Sequence, residues 1–329
     1  MKRILITGAA GFVGSHVLKY LMTNTDMEIV ALIRLNHAGD ANRLASTQGH
    51  ERVTYVYHDL KYTINSDLRE RIGHVDYILN LAANSHVDRS ITHPKEFFED
   101  NVLGAVNMLE FLRLHMPKAR YINFNTDEVY GAAPEGYKYK EDDRFDPSNP
   151  YSASKACQTM ACISYKKTYR QDASDPHSAP LDIINTYTMN IFGPEQNKEK
   201  LIPKAIYNAK NRIPMPVFAE LDGEKLVGVG TRHWLHVDNV GEALVFILEH
   251  GITGESYNIV GTDELSNEDV VRTVNEVLGT EPLIEYVDFH ATRPGHDRRY
   301  AIDGAKLAEL GWTPLKDFKQ GLREVIEEK

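Results

Sequence analysis

Two pairs of side chains in this sequence have the types and spacing for proton chemistry. Tyr151 and Lys155 stand four residues apart in Tyr151-Ser-Ala-Ser-Lys155. On a helix that spacing puts both on one face, one turn apart. An ammonium there stabilises a phenolate, which would let Tyr151 act as a base near neutral pH. Asp127 and Glu128 are neighbours in Asn125-Thr-Asp-Glu-Val-Tyr-Gly131. Two adjacent carboxyls can be driven to different pKa values, one staying protonated while the other ionises. Thr126 adds a hydroxyl beside them.

These groups need elements to position them. The opening Arg3 to Thr7 reads as a strand, and Ser15 to Met22 has helical spacing. Between them lies Gly8-Ala-Ala-Gly11-Phe12-Val13-Gly14. Strand, glycine turn and helix together form a dinucleotide-binding fingerprint. Glycine lets backbone N–H groups approach a pyrophosphate, and the helix N-terminus favours its charge. Further strands are expected at Glu28–Ile33, Val53–Tyr57, Tyr77–Leu81 and Arg120–Phe124. Helical stretches separate them, and a long helix is expected from Ser152 to about Arg170. Alternation of this kind implies an α/β fold, a Rossmann-like doubly wound parallel sheet. Asp127 and Glu128 then fall just past the carboxyl end of the fifth strand, where open α/β sheets place their sites.

An NAD binder usually carries an acid about 20 residues after the glycines, to hold the ribose 2′-OH. Here the strand end reads Ala31-Leu-Ile-Arg34-Leu-Asn36, with Arg34 where the acid would stand. A guanidinium suits a 2′-phosphate, so the expectation leans to NADP over NAD. Asp59 and Leu60 after the third strand are expected near the adenine. Ala82, Ala83 and Asn84 after the fourth, and Asn101, are expected along the cofactor crevice. Lys155 can also hold the nicotinamide ribose.

After a polar loop at 171–180 and a strand at Asp182–Thr188, the chain becomes irregular and dotted with Pro194, Pro203, Pro214 and Pro216. The expected division is a dinucleotide-binding domain of 1–188 plus 231–250, and a smaller mixed α/β substrate lobe of 189–230 plus 251–329. Apolar residues make up 42% of the 329 and charged ones 26%, and the formal charge is −10. That balance argues against nucleic acid as a partner, which needs a basic face. No apolar run reaches the roughly 20 residues of a membrane span. No signal or transit peptide is expected before a first strand starting this early, so the expected location is cytoplasmic. The two cysteines, Cys157 and Cys162, have no ligand cluster around them, and no metal site is expected.

The glycine string with Tyr151-x-x-x-Lys155 resembles the extended short-chain dehydrogenase/reductase superfamily. Leu81-Ala-Ala-Asn-Ser-His-Val-Asp-Arg-Ser90, Asn125 to Gly131 and Arg293-Pro-Gly-His-Asp-Arg-Arg-Tyr-Ala-Ile-Asp303 narrow it. Together they resemble the nucleotide-sugar 4,6-dehydratases, most closely the dTDP-glucose 4,6-dehydratases, over nearly the whole chain. The resemblance implies a homodimer, through helices around 95–115 and 152–170. It also implies a reaction on a nucleoside-diphosphate hexose. Tyr151, assisted by Thr126, takes the 4-OH proton as hydride leaves C4 for the nicotinamide. Glu128 removes the C5 proton, Asp127 protonates the departing 6-OH, and hydride returns to C6. Epimerases of the superfamily keep the tyrosine but lack the acid pair.

For the substrate, the resemblance implies Ser85 and His86 near the sugar and Asn190 at the diphosphate. Lys200 and Leu201 belong at the sugar phosphate, and Pro216 and Phe218 at the base. Arg232 and Arg293 are implied as phosphate clamps, with Asn267 and His296 in matching strings. Three features depart from the pattern. Asn125 replaces the usual serine, Asn84 stands where relatives have glutamate, and Ala219 to Gly230 is longer than the usual hairpin and acidic. The nucleobase therefore stays open among dTDP, GDP, UDP and CDP. An epimerase, a 5,6-dehydratase and a non-catalytic cofactor-binding regulator remain competing readings.

Overall fold

The computed structural model describes residues 1–35, 39–222, 224–228, 230–288 and 297–327. The first half alternates as its hydrophobic pattern requires. In order it comprises β1 (Arg3–Thr7), α1 (Phe12–Asn24), β2 (Glu28–Ile33), a 3-10 segment (Ala41–Thr47), β3 (Val53–Tyr57) and α2 (Ser66–Ile72). Next come β4 (Tyr77–Asn80), α3 (Val87–Thr92) and α4 (Pro94–Phe97), which continues through a π-helical turn (Phe98–Leu103) into α5 (Gly104–His115). β5 (Arg120–Thr126), a 3-10 turn (Asp127–Tyr130), α6 (Pro150–Thr168) and β6 (Ile183–Thr188) complete this half. The second half holds β7 (Asn190–Phe192), α7 (Leu201–Asn211), β8 (Met215–Asp222), β9 (Lys225–Gly228), β10 (Thr231–His236) and α8 (Val237–His250). It ends with β11 (Ser256–Ile259), β12 (Asp263–Ser266), α9 (Asn267–Leu278), β13 (Ile284–Asp288) and the helices Ala305–Leu310 and Phe318–Glu327.

Seven strands form one sheet in the order β11-β6-β5-β4-β1-β2-β3. Every pairing in it is parallel. The order 3-2-1-4-5-6 is the doubly wound arrangement, with the switch point between β1 and β4. Strands covered on both faces read as unbroken apolar runs, and β2 and β6 are buried almost end to end. One face packs on α1 and α8 through Val17, Leu18, Leu21, Val240, Leu244 and Ile247. The other packs on α5 and α6 through Met108, Leu109, Leu112 and Cys162. The smaller lobe has its own core around Phe192, Ile202, Trp234, Val270, Val274 and Phe318. It carries two three-stranded sheets, β12-β10-β7 and β13-β8-β9.

The division between the halves differs from the expected one in two places. β11, expected in the substrate lobe, is the seventh strand of the large sheet, paired with β6. It covers what would otherwise be an open sheet edge. β10, expected in the dinucleotide half, lies between β7 and β12 of the lobe. The chain thus crosses between the two bodies more often than a linear reading suggests. Among the described residues, no helix is long and apolar enough to cross a membrane.

Candidate active site

The turn after β1 shows why it must be glycine-rich. Gly8 has φ +74°, and a Cβ there would lie 2.8 Å from the Ala82 Cα. At Gly14 a Cβ would lie 2.1 Å from the Gly8 carbonyl oxygen. α1 therefore starts tight against the turn. Gly11 caps it without a side chain, leaving first-turn amides for an anion. These features fit a dinucleotide pyrophosphate.

A cleft of about 660 Å³ opens from this turn across the carboxyl ends of the strands to the small lobe. Its walls bring together Gly8, Gly11, Phe12, Val13 and Gly14 with Arg34, Asp59, Leu60, Ala82, Ala83 and Asn84. Ser85, His86, Thr126, Glu128, Tyr151, Lys155, Asn190, Lys200, Leu201, Pro216, Phe218, Arg232 and Asn267 line it too. Asp127 and Asn101 are buried behind the wall. Arg293 and His296 lie outside the described residues. Asp100, Tyr300 and Gln196 also face the cleft and were not singled out from the sequence, because no local motif marks them.

The acid pair sits where β5 ends in a 3-10 turn. Thr126 caps that turn, accepting from the Glu128 amide at 3.4 Å, and its hydroxyl donates to Asp127 Oδ1 at 3.2 Å. Asp127 Oδ2 is buried with no hydrogen-bond partner among the described residues. Burial, reinforced by the charge of Glu128, pushes the Asp127 carboxyl up to about 7, against the pull of Arg232. Burial also raises Glu128, while the Asn149 amide, donating at 3.4 Å, holds it down. The neighbours thus differ in partners and exposure, as a proton donor beside a proton acceptor requires.

Tyr151 and Lys155 rise from the first turns of α6, which starts with Pro150 and a capping box between Asn149 and Ser152. Here the expected electrostatics need correction. Lys155 Nζ donates to the Phe124 carbonyl at 2.8 Å and to Gln158 Oε1 at 2.6 Å. Burial lowers it to about 7. The Tyr151 phenol is raised well above its ordinary value by burial and then by Glu128, and its hydrogen bond with Thr126 offsets part of the rise. Lysine is not what acts on the phenol in this arrangement; Thr126 and the two acids are. Asn125, the departure from the usual serine, braces this corner. Its amide donates to the Lys155 carbonyl at 2.9 Å and to Thr159 Oγ1 at 2.5 Å.

Two other expectations change. Arg34 is not a free guanidinium at the strand end. It forks onto Asp100, with both bonds at 2.9 Å, and also reaches Asp59 at 3.1 Å. That pairing removes the basis for favouring NADP. Arg232 faces the cleft, but it donates to the carbonyls of Thr231, Arg298 and Asp297 and lies 4.4 Å above the Tyr300 ring. His86 lines the cleft and also caps α3, accepting from the Arg89 amide at 3.2 Å.

A family model described as GDP-mannose 4,6 dehydratase matches residues 5–325. The chain belongs to that family. A low-salt glycan biosynthesis protein of Haloferax volcanii is 38% identical over 98% of this chain and 97% of its own length. A dTDP-glucose 4,6-dehydratase of Salmonella typhimurium is 35% identical over 99% of this chain and 92% of its own. Among solved structures, a dTDP-glucose 4,6-dehydratase from Bacillus anthracis in complex with NAD superposes with a TM-score of 0.83 at 34% identity, covering 99% of this chain and 96% of that one. The chain is thus a nucleotide-sugar dehydratase by family.

Proposed function

We propose that the chain is an NAD-dependent 4,6-dehydratase of a nucleoside-diphosphate hexose, with dTDP-glucose as the favoured substrate and a 4-keto-6-deoxy sugar nucleotide as product. The observation that carries the reading is the buried Asp127 and half-buried Glu128 at the same cleft as Tyr151. A simple 4-epimerisation has no use for a second acid and base. Removing water does, because one group must take the C5 proton and another must protonate the departing 6-hydroxyl. The substrate named for the Salmonella and Bacillus relatives supports dTDP-glucose.

The glycine turn, α1, Asp59, Ala82 and Asn84 would hold the dinucleotide. NAD is favoured because Arg34 is taken by Asp100, and because the Bacillus relative binds it. When bound, the oxidised nicotinamide would supply a hydride acceptor and a positive charge. Tyr151, as the phenolate left when its own proton passes to solvent, would take the proton of the 4-hydroxyl. Thr126 has a single hydroxyl proton, which bonds Asp127 while the phenol is neutral and can turn to the phenolate once it forms. A 4-ketone acidifies C5–H, which Glu128 removes while held by Asn149. Asp127, kept protonated by burial, gives its proton to the 6-hydroxyl as it leaves. Asn190 and Lys200 line the cleft and would meet the diphosphate, and Pro216 and Phe218 would meet the base.

We also propose a homodimer. Phe98, Leu103, Leu114 and Met160 are large apolar side chains exposed in the two stretches that the family resemblance implicates. The thiols of Cys157 and Cys162 are unpaired, which fits a reducing, cytoplasmic setting. The test of function is incubation with dTDP-, GDP-, UDP- and CDP-hexoses. The ultraviolet absorbance of a 4-keto sugar in base should appear first with dTDP-glucose and disappear in Tyr151→Phe. A 4-epimer as sole product would contradict the proposal.

A further inference from the structure

Strand β2 ends in a cation where a dinucleotide site usually ends in an acid, and the chain answers this with residues far away in sequence. Asp100 lies 66 residues from Arg34, on the π-helical turn between α4 and α5. Such turns are often found at functional sites. Its two oxygens take both ends of the Arg34 guanidinium at 2.9 Å. The Asp100 side chain is only 12% exposed. It is fixed from a second side by Asn84, whose amide donates to Asp100 Oδ2 at 2.8 Å. Asp59 takes a third bond from Arg34 at 3.1 Å and one from the Lys61 amide at 3.0 Å. The Lys61 ammonium stands 3.7 Å from Asp59 and 4.0 Å from Asp100. Two carboxylates therefore offset two cations, and Arg34, Asp59 and Asp100 all line the cleft.

We infer that Asp100 sets the cofactor preference of this chain: by occupying Arg34 it denies a 2′-phosphate its cation and presents carboxylate oxygens towards the ribose hydroxyls instead. The selecting acid has moved from the strand end to the helix facing it. A 2′-phosphate would bring about two negative charges to a cluster already neutralised by two carboxylates. A ribose hydroxyl brings a donor that either carboxylate can accept. The device also explains Asn84. A glutamate there would add a third carboxylate against Asp100, whereas the amide donates to it.

The inference rests on the NAD reading above, and one experiment separates the two. Full-length wild type, Asp100→Asn, Arg34→Leu and the double variant are freed of nucleotide and titrated calorimetrically with NAD and with NADP. Wild type should prefer NAD. Asp100→Asn should shift the NAD-to-NADP affinity ratio towards NADP by about tenfold or more, the weight of one charge-assisted bond. The double variant should lose that shift. Arg34→Leu alone, which keeps the acid, should gain no NADP affinity and reports independently if the first variant folds poorly. An unchanged ratio in Asp100→Asn, or a shift that survives without Arg34, overturns the inference while leaving the NAD reading intact. A wild-type preference for NADP overturns both.

Discussion

At the scale of single residues, the residues that meet at the cleft were legible where their motifs are local: Tyr151 and Lys155 lie within one helix turn, and Asp127 and Glu128 within one loop. Their electrostatics were not, because these depend on what buries them. Lys155 was expected to act on Tyr151, and it instead bonds Phe124 and Gln158. Asp100 was missed because its partner comes from a distant strand. The raised carboxyl of Asp127 leads to a prediction. Its pKa goes up on folding, so it holds its proton below about 7 and loses it as pH rises through that value. Turnover should therefore fall on the alkaline side with a one-proton slope centred near that value. Asp127→Asn should slow turnover by about 10²- to 10⁴-fold and flatten that limb. Steady-state rates between roughly pH 5.5 and 9 check this. Glu128→Gln should release little product yet still build up the 4-keto hexose before elimination, seen in single-turnover quenching. Full turnover would remove the role given to Glu128.

At the scale of elements, the parallel sheet was readable from apolar runs and glycine spacing, and most expected strands match to within a residue or two. β5 runs to Thr126 rather than stopping at Phe124, carrying the regular backbone up to the acid pair. What escaped the sequence was membership. β11 has only four residues, and nothing within it says which sheet edge it will cover. β10 is flanked by both bodies and joins the smaller. The tight start of α1 makes a testable demand. In Gly14→Ala the new methyl meets the Gly8 carbonyl at 2.1 Å, backbone against backbone. The helix must move away from the turn, and the pyrophosphate loses its amides. The expected result is protein purified without nucleotide and a lower Tm, measured by cofactor release and thermal unfolding. A variant still carrying its nucleotide would show that the turn tolerates the shift.

At the scale of the whole molecule, the cleft is built by two bodies that the chain visits alternately, so neither half holds a complete site. The dinucleotide sheet supplies Thr126, Asp127, Glu128, Tyr151 and Lys155, and the lobe supplies Asn190, Lys200, Arg232 and Asn267. The exposed apolar side chains on α5, α6 and the π turn belong to this scale as well. Replacing Leu103 and Met160 with aspartate should yield monomers by light scattering, with the fold intact by circular dichroism; a dimer that persists would place the interface elsewhere. The central claim is that one cleft oxidises C4, eliminates water and reduces C6 with no net redox change. The most direct measurement follows deuterium from C4 of dTDP-glucose. The label should appear at C6 of a 4-keto-6-deoxy product, with no net formation of reduced nicotinamide. Label retained at C4 of a 4-epimer would contradict it.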